Sequence, residues 1–332
     1  MKTAAITLAL AMVATNALAD DAHLAKARQE GDVAFYANIT SVEPIIEAFT
    51  ADTGVKATYT RISSTKFVAT AITEFQAGKL QADVIQGPLP VLEILKEKGV
   101  LAAYRSPAAA GYAEWTRKDD AIQLFGIEYV GIIYNKNLVK PVDVPKRYED
   151  LADPKWKNKI VMANPSNHPS TISWLVGLKD NVFKSEADWR AFLKGLAANH
   201  PMFVASFGPT PAPIESGEKP IGISMPKYIV TKAPAPLDWA RLDNEPLLGT
   251  PRAIAIAAKA PHPEAARAFM DWWLAPKAMG MLAKDVGEYV TTPGVYPPVA
   301  GIDKAKVIAI RELSDEELRK WGAEFKTIFD VR

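Results

Sequence analysis

Two clusters of hydroxyl-bearing residues follow predicted strands and could bind an anion. In the first cluster, Arg61 precedes Ser63, Ser64 and Thr65. The second cluster comprises Ser166, Asn167, His168, Ser170 and Thr171. Each cluster stands where a helix should begin, and helix N-termini offer unpaired N–H groups and a partial positive charge that hold a carboxylate, phosphate or phosphonate. Because Ser and Thr are also frequent N-caps, each cluster could instead only cap its helix.

Two cations and two tyrosines are further candidates for the same site. Lys227 and Arg252 each lie at the end of a strand that is predicted to approach a crevice between two lobes. There they could pair with an anionic group. The alternative for both is a solvated surface cation. Tyr129 and Tyr228 could stack on a ligand or hydrogen-bond to it, or they could pack half-buried with the hydroxyl in water.

The elements that must position these residues follow from the hydrophobic pattern. Apolar β-branched runs alternate with amphipathic segments in the first third of the chain. The pattern predicts strands at 33–36, 55–60 and 83–86, with helices at 42–53, from 65 onward and at 91–97. This βαβαβα order implies a parallel sheet with crossover helices, in which ligands bind beyond the carboxyl ends of the strands.

The rest of the chain repeats this pattern. It predicts strands at 127–134, 159–162, 221–224 and 253–257, and helices at 171–178 and 262–274. A chain of 332 residues is too long for one ordinary core. We therefore expect an α/β protein of two lobes.

The N-terminus carries the pattern of a secretory signal. Lys2 precedes an uncharged run from Ala4 to Ala14, and the small-residue pattern Ala17–Ala19 precedes Asp20. We expect residues 1–19 to be cleaved after Ala19. The chain contains no cysteine, which excludes disulfides and an N-terminal lipid anchor on cysteine, so a free periplasmic protein is predicted.

The charge balance indicates a small partner. The formal net charge is +1 and becomes zero when Lys2 leaves with the signal. A chain with no net charge and no basic run offers no electrostatic footprint for nucleic acid or an anionic membrane. With no cysteine and no His pair at ligand spacing, neither a zinc or copper site nor a cofactor is expected.

The sequence also lacks the motifs of common enzyme classes. It contains no G-x-S-x-G elbow, no G-x-x-x-x-G-K-[ST] phosphate loop, no G-x-G-x-x-G and no H-E-x-x-H. A secreted hydrolase therefore ranks behind a binding function.

Five passages, in order along the chain, resemble the motifs of one family of binding proteins. They are Ala48–Lys56 (AFTADTGVK), Ala82–Val84 (ADV), Ile132–Asn135 (IIYN), Asp153–Ile160 (DPKWKNKI) and Ala260–Ala266 (APHPEAA). Together they resemble the extracellular solute-binding proteins of ABC transporters, family 1, in the ferric-iron and small-anion branch. The resemblance covers nearly the whole chain after the signal.

The resemblance implies the two-lobed type II periplasmic binding protein fold, each lobe a mostly parallel sheet flanked by helices, with a hinge between them. The implied N-terminal lobe comprises 20–124 and 238–285, and the C-terminal lobe comprises 125–237 and 286–332. The chain would cross between lobes near Phe125–Tyr129 and near Thr231–Leu237. The implied mechanism is closure on one ligand and delivery to an inner-membrane permease and its ATPase. We expect a monomer.

The ligand is the point at which this chain departs from the ferric members of the family. Those members hold iron with a Tyr-Tyr pair in the second lobe, a His after the first strand and often a Glu after the third. Here the place of the pair holds a single tyrosine, Tyr228. The places of the His and the Glu hold Asn38, Thr40, Ser41 and Gly87. Because ferric ion needs several hard anionic oxygens, we expect a small organic anion, with ferric or another metal ion as the alternative.

Overall fold

The computed structural model describes residues 23–311 and 313–331, so the predicted signal lies outside the described residues. The strands are β1 (Asp32–Ala37), β2 (Lys56–Arg61), β3 (Val84–Pro88), β4 (Leu101–Ala102), β5 (Gln123–Asn135), β6 (Ile160–Ala163), β7 (Met202–Val204), β8 (Ile221–Ser224), β9 (Leu237–Trp239), β10 (Leu247–Ala257), β11 (Tyr289–Val290) and β12 (Val307–Ala309). The helices are α1 (residues 23–30), α2 (Glu43–Thr53), α3 (Ser64–Gln76), α4 (Leu89–Glu97), α5 (Pro169–Asn181), α6 (Glu186–Ala198), α7 (Pro211–Glu215), α8 (Tyr228–Thr231), α9 (Pro263–Leu274), α10 (Pro276–Val286) and α11 (Asp315–Ile328). Among these described helices, none combines the length and the apolar character that crossing a bilayer requires.

The first part of the sheet has the parallel arrangement that the hydrophobic pattern predicts. β1 pairs in parallel with β2 on one edge and with β3 on the other, and α2 and α3 form the crossovers. The aromatic ring of Phe35 in β1 lies 4.8 Å from that of Phe269 and 5.0 Å from that of Trp273, both in α9. These buried rings form much of the first core, and the predicted α/β class is confirmed.

The second part of the sheet runs in the order β5-β8-β6-β7. β6 is parallel to both β8 and β7, whereas β5 is antiparallel to β8. A second core contains the fully buried Trp174 of α5 and Trp189 of α6, whose indole N–H donates to the carbonyl of Leu175 at 2.9 Å. The elements predicted for this region are present, with α5 and β5 longer at both ends than predicted.

One long strand, β5, joins the two parts of the sheet. β5 pairs with β10 over Gln123–Val130 and with β8 and β9 over Gly131–Asn135. The predicted crossing at Phe125–Tyr129 therefore lies in β5. β10 pairs with β3 along its other edge, so it belongs to the first part of the sheet.

The return crossing differs from the prediction. Thr231–Leu237 joins α8 to β9, and β9 pairs with β5 at Ile133–Asn135, so this segment stays within the second part of the sheet. The return runs instead through residues 240–247 into β10. The resemblance implies a crossing here, but the segment precedes a short strand of the second part of the sheet. The lobe boundaries that the resemblance implies stay a prediction.

β5 and β10 approach each other closely at a glycine. A Cβ on Gly249 would lie 2.7 Å from the Cα of Tyr129 and 2.6 Å from the carbonyl oxygen of Glu128. Three residues further on, the pairing register shifts by a β-bulge between Arg252 and Ala253. A bulge re-aims the side chains beside it, and this one lies where β10 passes the end of β3.

We expect Gly249→Ala to lower the free energy of unfolding by about 1–3 kcal/mol, because the new methyl group meets backbone atoms that cannot move aside. Gly280→Ala is the control, since nothing lies within 4 Å of that position in α10. It should instead stabilise the protein by about 0.5–1 kcal/mol through the higher helix propensity of alanine. Urea titration measures both values, and equal effects of the two variants would contradict the close approach of β5 and β10.

Candidate functional site

A small cavity of about 20 Å³ lies where both parts of the sheet meet. Its walls are Asn38, Thr40, Arg61, Ser63, Ser64, Glu128, His168, Ser206, Phe207, Gly208, Met225, Tyr228 and Arg252. Most of these residues follow the carboxyl ends of β1, β2, β6, β7 and β8, whereas Glu128 and Arg252 lie within β5 and β10. The cavity thus lies at the strand ends, where the parallel order predicts a ligand, and it has room for a water-sized guest.

The N-terminus of α3 reaches the cavity without a side-chain cap. Ser63, the N-cap residue, is extended and makes no capping bond to the backbone; its hydroxyl lies 3.0 Å from that of Thr65. The hydroxyl of Ser64 accepts a hydrogen bond from the Asn38 amide at 2.9 Å. The predicted alternative, that this cluster only caps its helix, is therefore wrong for Ser63. Ser63 and Ser64 both line the cavity, so the start of α3 forms part of its wall.

Arg61 lies at the edge of the same cavity. Its side chain is exposed, and within residues 23–311 and 313–331 it has no ion-pair or hydrogen-bond partner. A Cβ built on Gly208 would lie only 2.7 Å from Arg61 Nη2, so the guanidinium rests against the backbone of the segment after β7. An unpaired cation from the first half of the chain thus contacts the second half directly.

The N-terminus of α5 is capped from within. The backbone N–H of Thr171 donates to His168 Nδ1 at 3.3 Å, and the Thr171 hydroxyl lies 2.8 Å from the same nitrogen. The ring of Phe207 packs edge-on against the imidazole at 4.9 Å. Burial lowers the pKa of His168 to about 3, so the ring is neutral at neutral pH. For this cluster, the capping alternative describes the contacts that His168 and Thr171 make.

A cluster of four buried, charged side chains adjoins the cavity. We call it the charge cluster, and its members are Glu128, Lys227, Arg252 and Glu288. Glu288 accepts from Lys227 Nζ at 2.6 Å and from Arg252 Nε at 2.6 Å. Glu128 lies 3.4 Å from Arg252 Nη1. All four side chains are at most 3% exposed. The predicted alternative that Lys227 and Arg252 are solvated surface cations is therefore wrong.

The charges of the cluster compensate one another. Burial lowers the pKa of Lys227, partly offset by Glu288. For Glu288, burial alone would raise the pKa, but Arg252 and Lys227 outweigh it and hold the pKa below its usual value. Two positive and two negative side chains sum to zero, so neither cation is left uncompensated. Asn38 links the cluster to α3, because its Oδ1 accepts from Arg252 at 3.3 Å.

The two candidate tyrosines have different surroundings. Tyr228 lines the cavity, and its hydroxyl is hydrogen-bonded to Thr40; burial raises its pKa well above the usual value. Tyr129 is fully buried, and its hydroxyl donates to the carbonyl of Gly287 at 3.0 Å. Tyr129 therefore ties β5 to the end of α10, outside the cavity wall.

The structure brings eight of the predicted site residues together around the cavity: Asn38, Thr40, Arg61, Ser63, Ser64, His168, Tyr228 and Arg252. It places the others outside the wall: Ser41, Thr65, Gly87, Tyr129, Ser166, Asn167, Ser170, Thr171 and Lys227. Gly87 pairs with Ala253 inside the sheet, and Ser166 donates to the Asn164 side chain at 2.7 Å. Ser170 and Thr171 are buried behind His168.

Six residues of the site were not predicted from the sequence: Glu128, Ser206, Phe207, Gly208, Met225 and Glu288. Glu128 carried a usable signal, because it is the one charged residue in the otherwise uncharged stretch Gln123–Asn135. A lone carboxylate in a buried strand requires a partner, and here that partner is Arg252. Across the described ranges, no group of three or more His, Cys, Asp or Glu side chains is placed to hold a metal ion.

Comparison with known proteins places this chain among binding proteins. The sequence profile described as bacterial extracellular solute-binding protein matches residues 44–309, well over half of the chain. Iron uptake protein A1 of Synechocystis is 29% identical over 200 residues, which is 54% of this chain and about half (50%) of that relative. The matched part thus leaves about half of that curated relative's length uncovered.

Solved structures share the fold. The periplasmic binding protein AfuA of Actinobacillus pleuropneumoniae, with fructose-6-phosphate bound, matches at a TM-score of 0.73 and 22% identity, over 90% of this chain and 97% of that one. A Trichodesmium protein (IdiA, FutA) in complex with iron and citrate matches at a TM-score of 0.63 and 21% identity, over 90% and 98%. The predicted fold, that of periplasmic binding proteins, is confirmed.

We expect Glu288→Gln to lower the free energy of unfolding by about 3–5 kcal/mol, since it leaves Lys227 and Arg252 buried without their shared carboxylate. The matched control is Glu186→Gln, which removes a carboxylate from a solvent-exposed ion pair with Arg190. The control should move the urea midpoint only slightly. If the Glu288 variant were as stable as the control, the stability of the protein would not depend on the neutralisation of Lys227 and Arg252 by Glu288.

His168→Asn should change how stability depends on pH. In the folded protein His168 has a pKa of about 3, so it stays neutral until the pH approaches 3. In the unfolded chain its pKa has the ordinary value of 6.5. Stability is therefore lost as the pH falls from about 6.5 toward 3. Between pH 7 and pH 4 this loss amounts to about 3 kcal/mol, and asparagine, which can still cap α5, removes it.

Urea titration of both proteins at the two pH values measures this difference. His200→Asn replaces an exposed histidine and serves as the control, which should follow the unmodified protein. Parallel pH profiles for His168→Asn and the unmodified protein would show that the imidazole is protonated in the folded state.

Proposed function

Because this chain belongs to the bacterial extracellular solute-binding protein family, we propose that it captures a small organic anion for an ABC importer. The anion, a carboxylate, phosphonate or phosphate ester, would bind in the cavity between the two parts of the sheet. Release to an inner-membrane permease and its ATPase would follow. In this proposal the chain acts as a monomer, without enzymatic chemistry.

The observation that carries the proposal is the position of Arg61. It is the cation of the cavity wall that has no counter-charge within the described part of the chain, and it borders the uncapped first turn of α3. A guanidinium and free helix N–H groups together recognise an anionic oxygen group more strongly than either does alone. Arg252 supports this site indirectly, because its charge is already taken up by Glu288 and Glu128.

Capture of a solute requires the two parts of the sheet to move apart. A cavity of about 20 Å³ admits a water-sized guest, whereas pockets for organic ligands measure roughly 300 Å³ or more. Arg61 is the last residue of β2 in the first part of the sheet, and Gly208 follows β7 in the second part. Their contact therefore closes the cavity on one side. We infer that the solute enters when this contact is open and that Arg61 then bonds to the solute instead.

Ferric iron is the second candidate, since two of the similar proteins are named for iron uptake or contain iron with citrate. The site favours an organic anion over iron for a chemical reason. Tyr228 is the one tyrosine of the wall, and burial raises its pKa, which disfavours the phenolate that would bind ferric ion. A carboxylate-bound iron complex would still present anionic oxygens to Arg61.

The predicted signal and the family together support a periplasmic location. A soluble carrier that closes on its solute in the periplasm and docks on a permease while closed matches the proposed mechanism.

Arg61→Gln should weaken binding of the anion at least tenfold, about 1.4 kcal/mol, because it removes the uncompensated cation of the wall. A thermal-shift screen against carboxylates, phosphonates, phosphate esters and ferric citrate finds the anion, and titration calorimetry then compares the variants. Arg105→Gln is the control, since Arg105 is exposed, pairs with Asp120 and lies outside the cavity wall.

Two outcomes would overturn this proposal. The first is anion binding that is equal in Arg61→Gln and Arg105→Gln, which would place the anion elsewhere. The second is a thermal shift with ferric complexes alone, together with a visible charge-transfer band that Tyr228→Phe removes. That result would make iron the solute and Tyr228 its ligand.

A further inference from the structure

The charges around the cavity add up to a single positive unit. The charge cluster contributes two cations and two carboxylates, all buried and bonded to one another. Arg61 adds one positive charge, and His168 is held neutral by burial. In the described part of the chain, the cavity wall contains no further ionisable side chain apart from Tyr228, which burial keeps protonated.

Glu288 accounts for this low charge. Its two carboxylate oxygens each accept one short bond, from Lys227 and from Arg252, in the manner of a bound anion. The chain thus supplies its own anion to the two cations that would otherwise attract one from solution. Glu128 adds a second carboxylate, which lines the cavity itself.

The remaining wall residues are neutral, and apart from Phe207, Met225 and Gly208 they carry polar side chains. The hydroxyl groups come from Thr40, Ser63, Ser64, Ser206 and Tyr228, and the amide comes from Asn38. Such groups hydrogen-bond to hydroxyl groups of a ligand as donors and as acceptors. Glu128 can only accept, so it also favours a ligand that donates a hydrogen bond.

Resting on the function proposed above, we propose that the solute is a hydroxylated organic acid that carries one negative charge. Its anionic group lies at Arg61 and the first turn of α3, and its hydroxyl groups bond to the neutral wall and to Glu128. A second anionic group would enter a buried space with no free cation and with the Glu128 carboxylate in the wall. Glu288 and Glu128 therefore select against doubly charged solutes.

The test uses pairs of ligands that differ by one charge on the same carbon skeleton. Gluconate and glucarate form one pair, glycerate and tartronate form the second, and glucose 6-phosphate represents a doubly charged phosphate ester. Calorimetric titrations are run at constant ionic strength, because exposed charges are screened by salt. We expect the singly charged member of a pair to bind at least tenfold more tightly than the doubly charged member.

Glu128→Gln raises the net charge of the wall by one while keeping the size of the side chain. The preference is the ratio of the Kd of the doubly charged member to the Kd of the singly charged member. Glu128→Gln should lower this ratio at least tenfold, and Glu186→Gln should leave it unchanged. Glu288→Gln should have the same effect as Glu128→Gln, and the Glu128 variant carries the test if the Glu288 variant is too unstable to titrate. Urea titration of each variant verifies that it is folded.

The outcomes separate this inference from the function on which it rests. Equal or tighter binding of the doubly charged member overturns the charge selection, while binding that depends on Arg61 still supports an anion carrier. A preference that Glu128→Gln leaves unchanged also overturns it. A panel in which no anion binds overturns the proposed function, and the charge selection with it.

Discussion

The bond between Glu288 and the two cations Lys227 and Arg252 is the constraint on which the rest of the site depends. The three side chains come from separate parts of the chain: the turn after α10, the turn before α8 and strand β10. A buried cation without a counter-charge would cost several kcal/mol, so these segments are stable only when they meet. Their meeting point fixes Asn38, and through it the start of α3, beside the cavity.

The same constraint divides the cations by role. Arg252 and Lys227 are bonded to Glu288 inside the protein, whereas Arg61 has no ion-pair partner in the described part of the chain and, in the proposed function, binds the solute. The two helix ends divide in a similar way. His168 closes the end of α5 with its own imidazole, while α3 reaches the cavity uncapped. The groups that are proposed to bind the anion therefore come from Arg61 and the start of α3, and the wall residues between His168 and Tyr228 are neutral.

The individual helices and strands and the α/β class were predictable, because hydrophobic periodicity and helix boundaries depend on residues that are close together in sequence. Strand order also located the cavity, since the ends of parallel strands converge. The charge cluster was not predictable, because Glu288 meets Lys227 across 61 positions and Arg252 across 36, distances that no local pattern encodes. For the same reason, the sequence indicated neither the burial of Lys227 nor its bond to Glu288. The return crossing that the resemblance implies was misplaced, because the order of elements along the chain does not indicate which part of the sheet the short strand β9 joins.

If the solute binds as proposed, the uncapped start of α3 couples its recognition to local folding. A helix whose first N–H groups have no side-chain acceptor is less stable at that end than a capped one. In the proposed function, an anion bound there would replace the missing cap, so part of the affinity would be helix stabilisation and would appear as slower amide exchange in the first turn of α3. Solute preference could then diverge among relatives by changes around one helix end, with both cores left as they are.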